Sequence, residues 1–155
     1  MTRFGSEPPG DPFGLNRFVE AQAASYAQAL AELRAGRKRS HWSWYVLPQV
    51  AGLGASPMSV RYAIRSLAEA RAYLEHPLLG ARIRECVATM NAHTGSNARQ
   101  ILGEIDALKF RSCLTLFAQA SESEAVFVEA LDKFFAGQAD AATLAILARE
   151  QGSKG

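Results

Sequence analysis

From Leu15 to Leu33 apolar residues recur at three- and four-residue steps: Leu15, Phe18, Val19, Tyr26, Leu30 and Leu33, with Gln22 on the same stripe. This spacing lays one face along an α-helix, and Gly36 stands where a left-handed cap would end it. The spacing therefore predicts one long first helix. Arg37 to Gln49, which reads RKRSHWSWYVLPQ, is short, aromatic and closed by Pro48; it fits one helical turn or an extended stretch. Ala51 to Ser59 is a glycine-rich loop. In it Ser56-Pro57 matches an N-cap with proline at the first helical position. A helix through Tyr62 and Ile64 should follow.

Ser66 and Glu69 have the spacing of a capping box and predict a new helix ending near His76. Pro77 opens the next, with Leu79, Ile83, Cys86, Val87 and Met90 inward, and His93 to Ser96 closes it. His76 reads as a cap at that junction. A short helix spans Asn97 to Leu102. Asp106 then caps a helix through Phe117, in which Leu108, Phe110, Cys113, Leu114, Leu116 and Phe117 cover most of the circumference. A helix apolar nearly all round belongs at the centre of a core. Two more helices complete the set, Glu122 to Ala136 capped by Gly137 and Ala141 to Arg149 opened by Asp140. No stretch alternates apolar and polar residues with the period of a half-buried strand. The expected fold class is all-α: a single compact domain of about seven or eight mostly short helices around one central buried helix. Residues 1–13, rich in Pro and Gly, read as a flexible N-terminal arm, 14–150 as the helical domain and 151–155 as a frayed tail.

Composition narrows the class without naming an activity. A chain of 155 residues suits one domain that buries roughly two-thirds of its unfolded surface unaided by metal or disulfide. With 48% hydrophobic and 21% charged residues it is neither disordered nor collagen-like. No apolar run is long enough to span a membrane, and Met1 to Gly14 has no secretory apolar core. Cys86 and Cys113 lie inside helical patterns, so two buried thiols are expected, in the cytoplasm. The net charge of +2 is too mild to mark a nucleic-acid binder. Its distribution says more. Residues 1–85 hold eleven Lys or Arg against seven Asp or Glu, and the excess concentrates at Arg34, Arg37, Lys38 and Arg39.

Those cations precede His41, Trp42, Trp44 and Tyr45. Cations neutralise phosphate and Trp faces stack on rings, so the segment suits an anionic planar ligand. It equally fits a charge run beside two core tryptophans. One serine separates Trp42 from Trp44, however, so both cannot point inward from one helix face. No second basic helix supports a nucleic-acid surface, and nucleic acid is not the expected partner. The Gly52, Gly54 and Ser56 loop leads into a helix start, where backbone N–H groups can approach an anion; ordinary loop chemistry explains it as well. It is neither a Walker motif nor a dinucleotide fingerprint. Lys109 and Ser112 share a face of the central helix, with Asp106 as a salt-bridge partner for Lys109. His41, His76 and His93 are scattered without metal-ligand spacing. The sequence calls for no metal and no cofactor.

The segment Gly36-Arg-Lys-Arg-Ser-His-Trp-Ser-Trp-Tyr-Val-Leu-Pro-Gln49 resembles a bacterial family catalogued as domain of unknown function 1810. The likeness continues through Gly52-Leu-Gly54, Tyr62-Ala-Ile, Glu69-Ala-Arg-Ala-Tyr-Leu-Glu-His-Pro-Leu-Leu-Gly80, Asp106-Ala-Leu-Lys-Phe-Arg-Ser112 and Thr115-Leu-Phe, over about residues 14 to 148. The resemblance implies a mainly helical fold and no established activity. Some members carry the label calpastatin, a disordered repeat inhibitor that nothing in this chain resembles. The order of Phe18-Val-Glu-Ala-Gln22, Glu69-Ala, Leu79-Gly80 and Lys109 is more distantly similar to YbiA-like proteins of the NADAR superfamily. That group is associated with ADP-ribose derivatives and N-glycosidic bonds. Its Trp-Gly and Gly-Asn-rich C-terminal segment is missing here.

The expectation is that Lys38, Arg39, His41, Trp42, Trp44 and Gln49 converge with Gly52, Gly54, Ser56, Lys109 and Ser112 on one pocket. Such a pocket would bind, or act on, a phosphorylated nucleotide- or ADP-ribose-like metabolite. His41 and Lys109 are the candidate catalytic groups, His41 because its unperturbed pKa lies near neutrality. The alternative is a non-catalytic interaction or homo-oligomerisation module that uses Trp42, Trp44 and Tyr45 as anchors and the arginines as rim.

Overall fold

The apolar stripe that begins at Leu15 is carried by two helices rather than one: α1 (Asn16–Ala23) and α2 (Tyr26–Ala35). Gln22, the polar member of the stripe, is buried, and its amide donates to the Tyr45 carbonyl at 2.7 Å and the Tyr73 hydroxyl at 3.2 Å. The chain turns just after it. α1 then packs on the short α3 (Ser43–Val46), while α2 packs on α6 (Leu79–Asn91). Two helices serving different neighbours keep the same spacing of apolar residues, which is why periodicity alone joined them. Gly36, with φ 77°, caps α2 as expected.

The computed structural model describes residues 11–121 and 123–154. Most of the expected arm, residues 1–10, lies outside them, as do Glu122 and Gly155. The remaining helices are α4 (Pro57–Arg61), α5 (Leu67–Glu75), α7 (Ala98–Leu102), α8 (Glu104–Ala120), α9 (Ala125–Phe135) and α10 (Ala141–Lys154). Ten helices thus replace the expected seven or eight among the described residues. The protein is all-α, with one parallel bridge, Val50 to Ile64, outside any strand. The helix expected through Ile64 ends at Arg61 instead, because Ile64 donates to the Gln49 carbonyl (2.9 Å) and accepts from Ala51 (2.8 Å).

Several starts follow the sequence signals. Ser66 accepts from Glu69 N–H at 3.0 Å, although the Glu69 carboxylate reaches back to Arg65 N–H rather than to Ser66. Asn97 and Gln100 form a reciprocal capping box, and Asp140 accepts from Thr143 N–H at 2.9 Å. The His76 ring nitrogen accepts from Leu78 and Leu79.

α8 is the central helix, in contact with α5, α7, α9 and α10. Phe110, Cys113, Leu114, Leu116 and Phe117 are inaccessible to solvent. A file of ring contacts, Phe18–Tyr73–Phe117–Phe127, ties α1, α5, α8 and α9 together at centroid separations of 5.1, 5.3 and 5.7 Å. Its start differs from the expectation. Gly103, with φ 90°, is the N-cap and Asp106 sits in the first turn. Leu108, expected inward, is 61% exposed, and Ile105 is 71% exposed. One face of the first turns of α8 is left uncovered, while Ala107 on another face is buried.

Candidate functional site

Glu32 shapes the basic-aromatic segment. It lies in the last turn of α2, where a negative charge opposes the helix dipole, and is almost fully buried. One carboxylate oxygen accepts the backbone N–H of Arg39 (2.8 Å), that of Ser40 (3.0 Å) and the indole N–H of Trp42 (2.9 Å). The other accepts the Gln28 amide (2.7 Å) and a very short bond from the Ser40 hydroxyl. Burial alone would raise its pKa. The donors, led by Ser40 and the Arg39 N–H, outweigh burial and hold the carboxyl well below the usual carboxylate range. An acid in a C-terminal helical turn was the sequence signal that could have identified it.

This anchoring places two expected site residues away from the cavities described below. Trp42, 1% exposed, is a core side chain held by Glu32 and lines none of the cavities described below. Arg39 contributes its backbone to Glu32 and directs an exposed side chain elsewhere. Lys38 is spoken for as well. Its ammonium contacts the Asp106 carboxylate at 2.8 Å and the Ser40 carbonyl at 2.5 Å, and lies 5.0 Å from the Trp42 ring centroid. Lys38 therefore fastens the segment to the start of α8 and is only 7% exposed.

Trp44, half-buried, faces two cavities. One, of about 240 Å³, is lined by Lys38, His41, Ser43, Trp44, Asp106 and Lys109, with Ile105 at its edge. The other, of about 340 Å³, runs along Gln49, Gly52, Gly54, Ser59, Tyr62 and Arg65. A third, of about 310 Å³, shares Gln49, Gly54 and Ser59 with the second and Ile105 and Lys109 with the first, and adds Ser112. The three are separate cavities that share walls in a depression around Trp44, Gln49 and Lys109. Ser56 lies outside it: its hydroxyl caps α4 by accepting Ser59 N–H at 3.1 Å and donates to the Ser59 hydroxyl at 2.9 Å. The Ser112 hydroxyl is turned back on its own helix, donating to the Leu108 carbonyl at 3.3 Å.

The loop's position has a local cause. The Val50–Ile64 bridge pins both ends of the glycine loop to each other. At Gly54 a Cβ would stand 2.7 Å from the Ser59 hydroxyl, so only glycine lets the loop close over the start of α4.

The side chains that border the depression divide into committed and uncommitted groups. Lys109 lies 5.3 Å from the Trp44 ring centroid and 3.8 Å from Asp106, beyond hydrogen-bond range. The Gln49 amide, the Trp44 indole N–H and the His41 ring have no protein hydrogen-bond partner among the described residues. Ser43 is 5% exposed and its hydroxyl is also without a partner. Neither Ser43 nor Arg65 carried a signal in the sequence. No cluster of three or more metal-ligating side chains occurs among the described residues.

Comparison with known proteins agrees with this fold. The chain is similar to the conserved hypothetical protein Rv1873 from Mycobacterium tuberculosis, whose crystal structure aligns with a TM-score of 0.88 at 51% identity. The alignment covers 89% of this chain and 99% of that one. No curated protein matches. The family model described as protein of unknown function (DUF1810) matches residues 12–147, and the chain belongs to that family.

Proposed function

We propose that the protein binds a small anionic, ring-bearing metabolite, of the nucleotide or ADP-ribose type, in the depression around Trp44. One observation carries this reading. An aromatic ring, an amide and an ammonium, all without protein hydrogen-bond partners, border cavities that share walls. Ligand sites are built this way, mostly from apolar and aromatic walls with a few convergent polar groups. In this reading the ring stacks on Trp44, Gln49 hydrogen-bonds its edge and Lys109 supplies charge. His41, exposed at the rim, is the group on which a general acid–base step would depend. Two buried free thiols fit a reducing cytoplasmic setting.

The test is a thermal-shift screen of nucleotides, ADP-ribose and sugar phosphates. A ligand at a hundred times its dissociation constant should stabilise the fold by about 2.7 kcal/mol, several degrees for a domain of this size. The shift should vanish in Lys109→Ala and shrink at high salt. No shift with any of these compounds would sink the reading.

The exposed Ile105 and Leu108 beside the depression favour a second reading, a contact with another copy of the chain. Sedimentation of the wild type and of Trp44→Ala separates the two. A dimer lost on mutation supports the contact, and a monomer supports the pocket.

A further inference from the structure

We propose that the 240 Å³ cavity is an oxyanion subsite in which the Ser43 hydroxyl and the Lys109 ammonium together hold a phosphate group. The proposal rests on the metabolite-binding reading and says where, in that depression, the charged end of the ligand goes. The volume, below that of drug-sized pockets at roughly 300 Å³ and upward, suits one functional group of a ligand.

Ser43 is the unexpected member. A buried hydroxyl is normally hydrogen-bonded, because leaving it dry and unpaired is costly. Ser43 is buried to 95% by its 5% exposure, lines this cavity and has no protein partner for its oxygen. Rotation about the Ser43 Cα–Cβ bond would bring that hydroxyl to the cavity, where it can donate to a phosphate oxygen.

The charges around it are arranged to leave one cation over. Asp106 and Lys38 satisfy each other at 2.8 Å, and the Lys38 ammonium is further used by the Ser40 carbonyl. Asp106 lies 3.8 Å from Lys109, so the Lys109 ammonium retains N–H groups for an acceptor in the cavity. Its position over the Trp44 ring holds it there without consuming a donor. Among the described residues Asp106 is the one carboxylate that lines the cavity, and against Lys38 and Lys109 together it leaves one positive charge for the ligand.

The experiment titrates the ¹⁵N-labelled full chain with inorganic phosphate and, separately, with adenosine, and repeats both with Ser43→Ala, Lys109→Ala and Lys133→Ala, a lysine exposed on α9 and outside these cavities. Phosphate should shift the amide signals around Ser43 and Lys109 saturably. Its affinity should fall at least fivefold in Ser43→Ala and in Lys109→Ala and stay within twofold in Lys133→Ala. Ser43→Cys, which keeps a small polar group there, checks that a loss in the alanine variant is not a folding defect. Phosphate binding without adenosine binding keeps the subsite and removes the ring-binding reading. Adenosine binding at Trp44 with no phosphate response near Ser43 overturns the subsite and leaves the wider reading standing. A phosphate response that Ser43→Ala leaves unchanged also overturns it.

Discussion

Glu32 accepts the indole N–H of Trp42 at 2.9 Å, so one of the two tryptophans expected at a ligand site is oriented in the core by a buried acid ten residues before it. The same carboxylate gathers the N–H groups of Arg39 and Ser40. Glu32→Ala would leave several buried donors unpaired and should cost on the order of 3 kcal/mol. Glu32→Gln keeps an acceptor oxygen and should cost less. Urea denaturation of both variants checks the order, and equal costs would contradict the role given to the charge.

The acid limb of stability has a defined sign. Glu32 and Glu124 both have folded-state pKa values below the ordinary 4.5, Glu32 through its donors against burial and Glu124 through its hydrogen bond with Arg84. Their contribution is fully present above the unfolded value and is lost as pH falls through the folded values. Unfolding free energy should therefore be flat between about pH 7 and pH 5 and decline below about 4.5. The decline should be shallower in Glu32→Gln. A wild-type decline that begins near neutrality would contradict this.

The alkaline limb runs the other way. Burial pushes the Cys86 thiol up to about 12, and the Cys113 thiol and Tyr73 hydroxyl are raised as well, chiefly by burial. Stability held by neutral thiols is present below the unfolded thiol value, near 8.5, and is lost as pH rises beyond it. In the folded protein neither thiol should react with a disulfide reagent at pH 8, and both should react once the chain is unfolded. Fast native labelling of either would mean that the core opens locally.

Two leucines on α8 test how unevenly that helix is buried. Leu116→Ala should cost on the order of 2–5 kcal/mol as a core truncation. Leu108→Ala, on an exposed stretch, should stay within about 0.5 kcal/mol. Thermal unfolding of the pair measures the contrast.

Glycine substitutions separate close packing from backbone strain. A Cβ at Gly80 would stand 2.1 Å from the Leu74 carbonyl oxygen, forcing α5 and α6 apart. Gly80→Ala should destabilise by at least about 2 kcal/mol. Gly95, with φ 81°, has nothing within 4 Å of the added atom, so Gly95→Ala carries only the left-handed backbone cost of roughly 1–2 kcal/mol. A larger loss at Gly95 than at Gly80 would reverse the argument.

The sequence carries the helical class and several helix ends because Ser66, Asn97 and Asp140 at starts and Gly36 at a stop act locally, through hydrogen bonds and dihedral angles within a few residues. What it leaves undecided depends on distant partners. The break after Gln22 follows from bonds to Tyr45 and Tyr73. The exposure of Leu108 depends on which helices reach the start of α8, and apolar spacing does not encode that. In the candidate site, residue type marks Trp44, Gln49 and Lys109 as suited to a ligand, but marks Trp42, Arg39 and Lys38 equally. It cannot tell Lys38 from Lys109, since their difference is the distance of each from Asp106, 2.8 against 3.8 Å. Ser43 is ordinary in sequence and becomes notable only when its hydroxyl is found buried and unpaired.

The single bridge between Val50 and Ile64 makes the glycine loop a replaceable cassette. Its two ends are fixed to each other, so Gln49 and Arg65 keep their places whatever lies between them. Because the entropy of closing a loop grows slowly, doubling its length would cost only about 0.6 kcal/mol. A lengthened or rewritten loop should therefore reshape this wall while the buried helices beneath stay as they are.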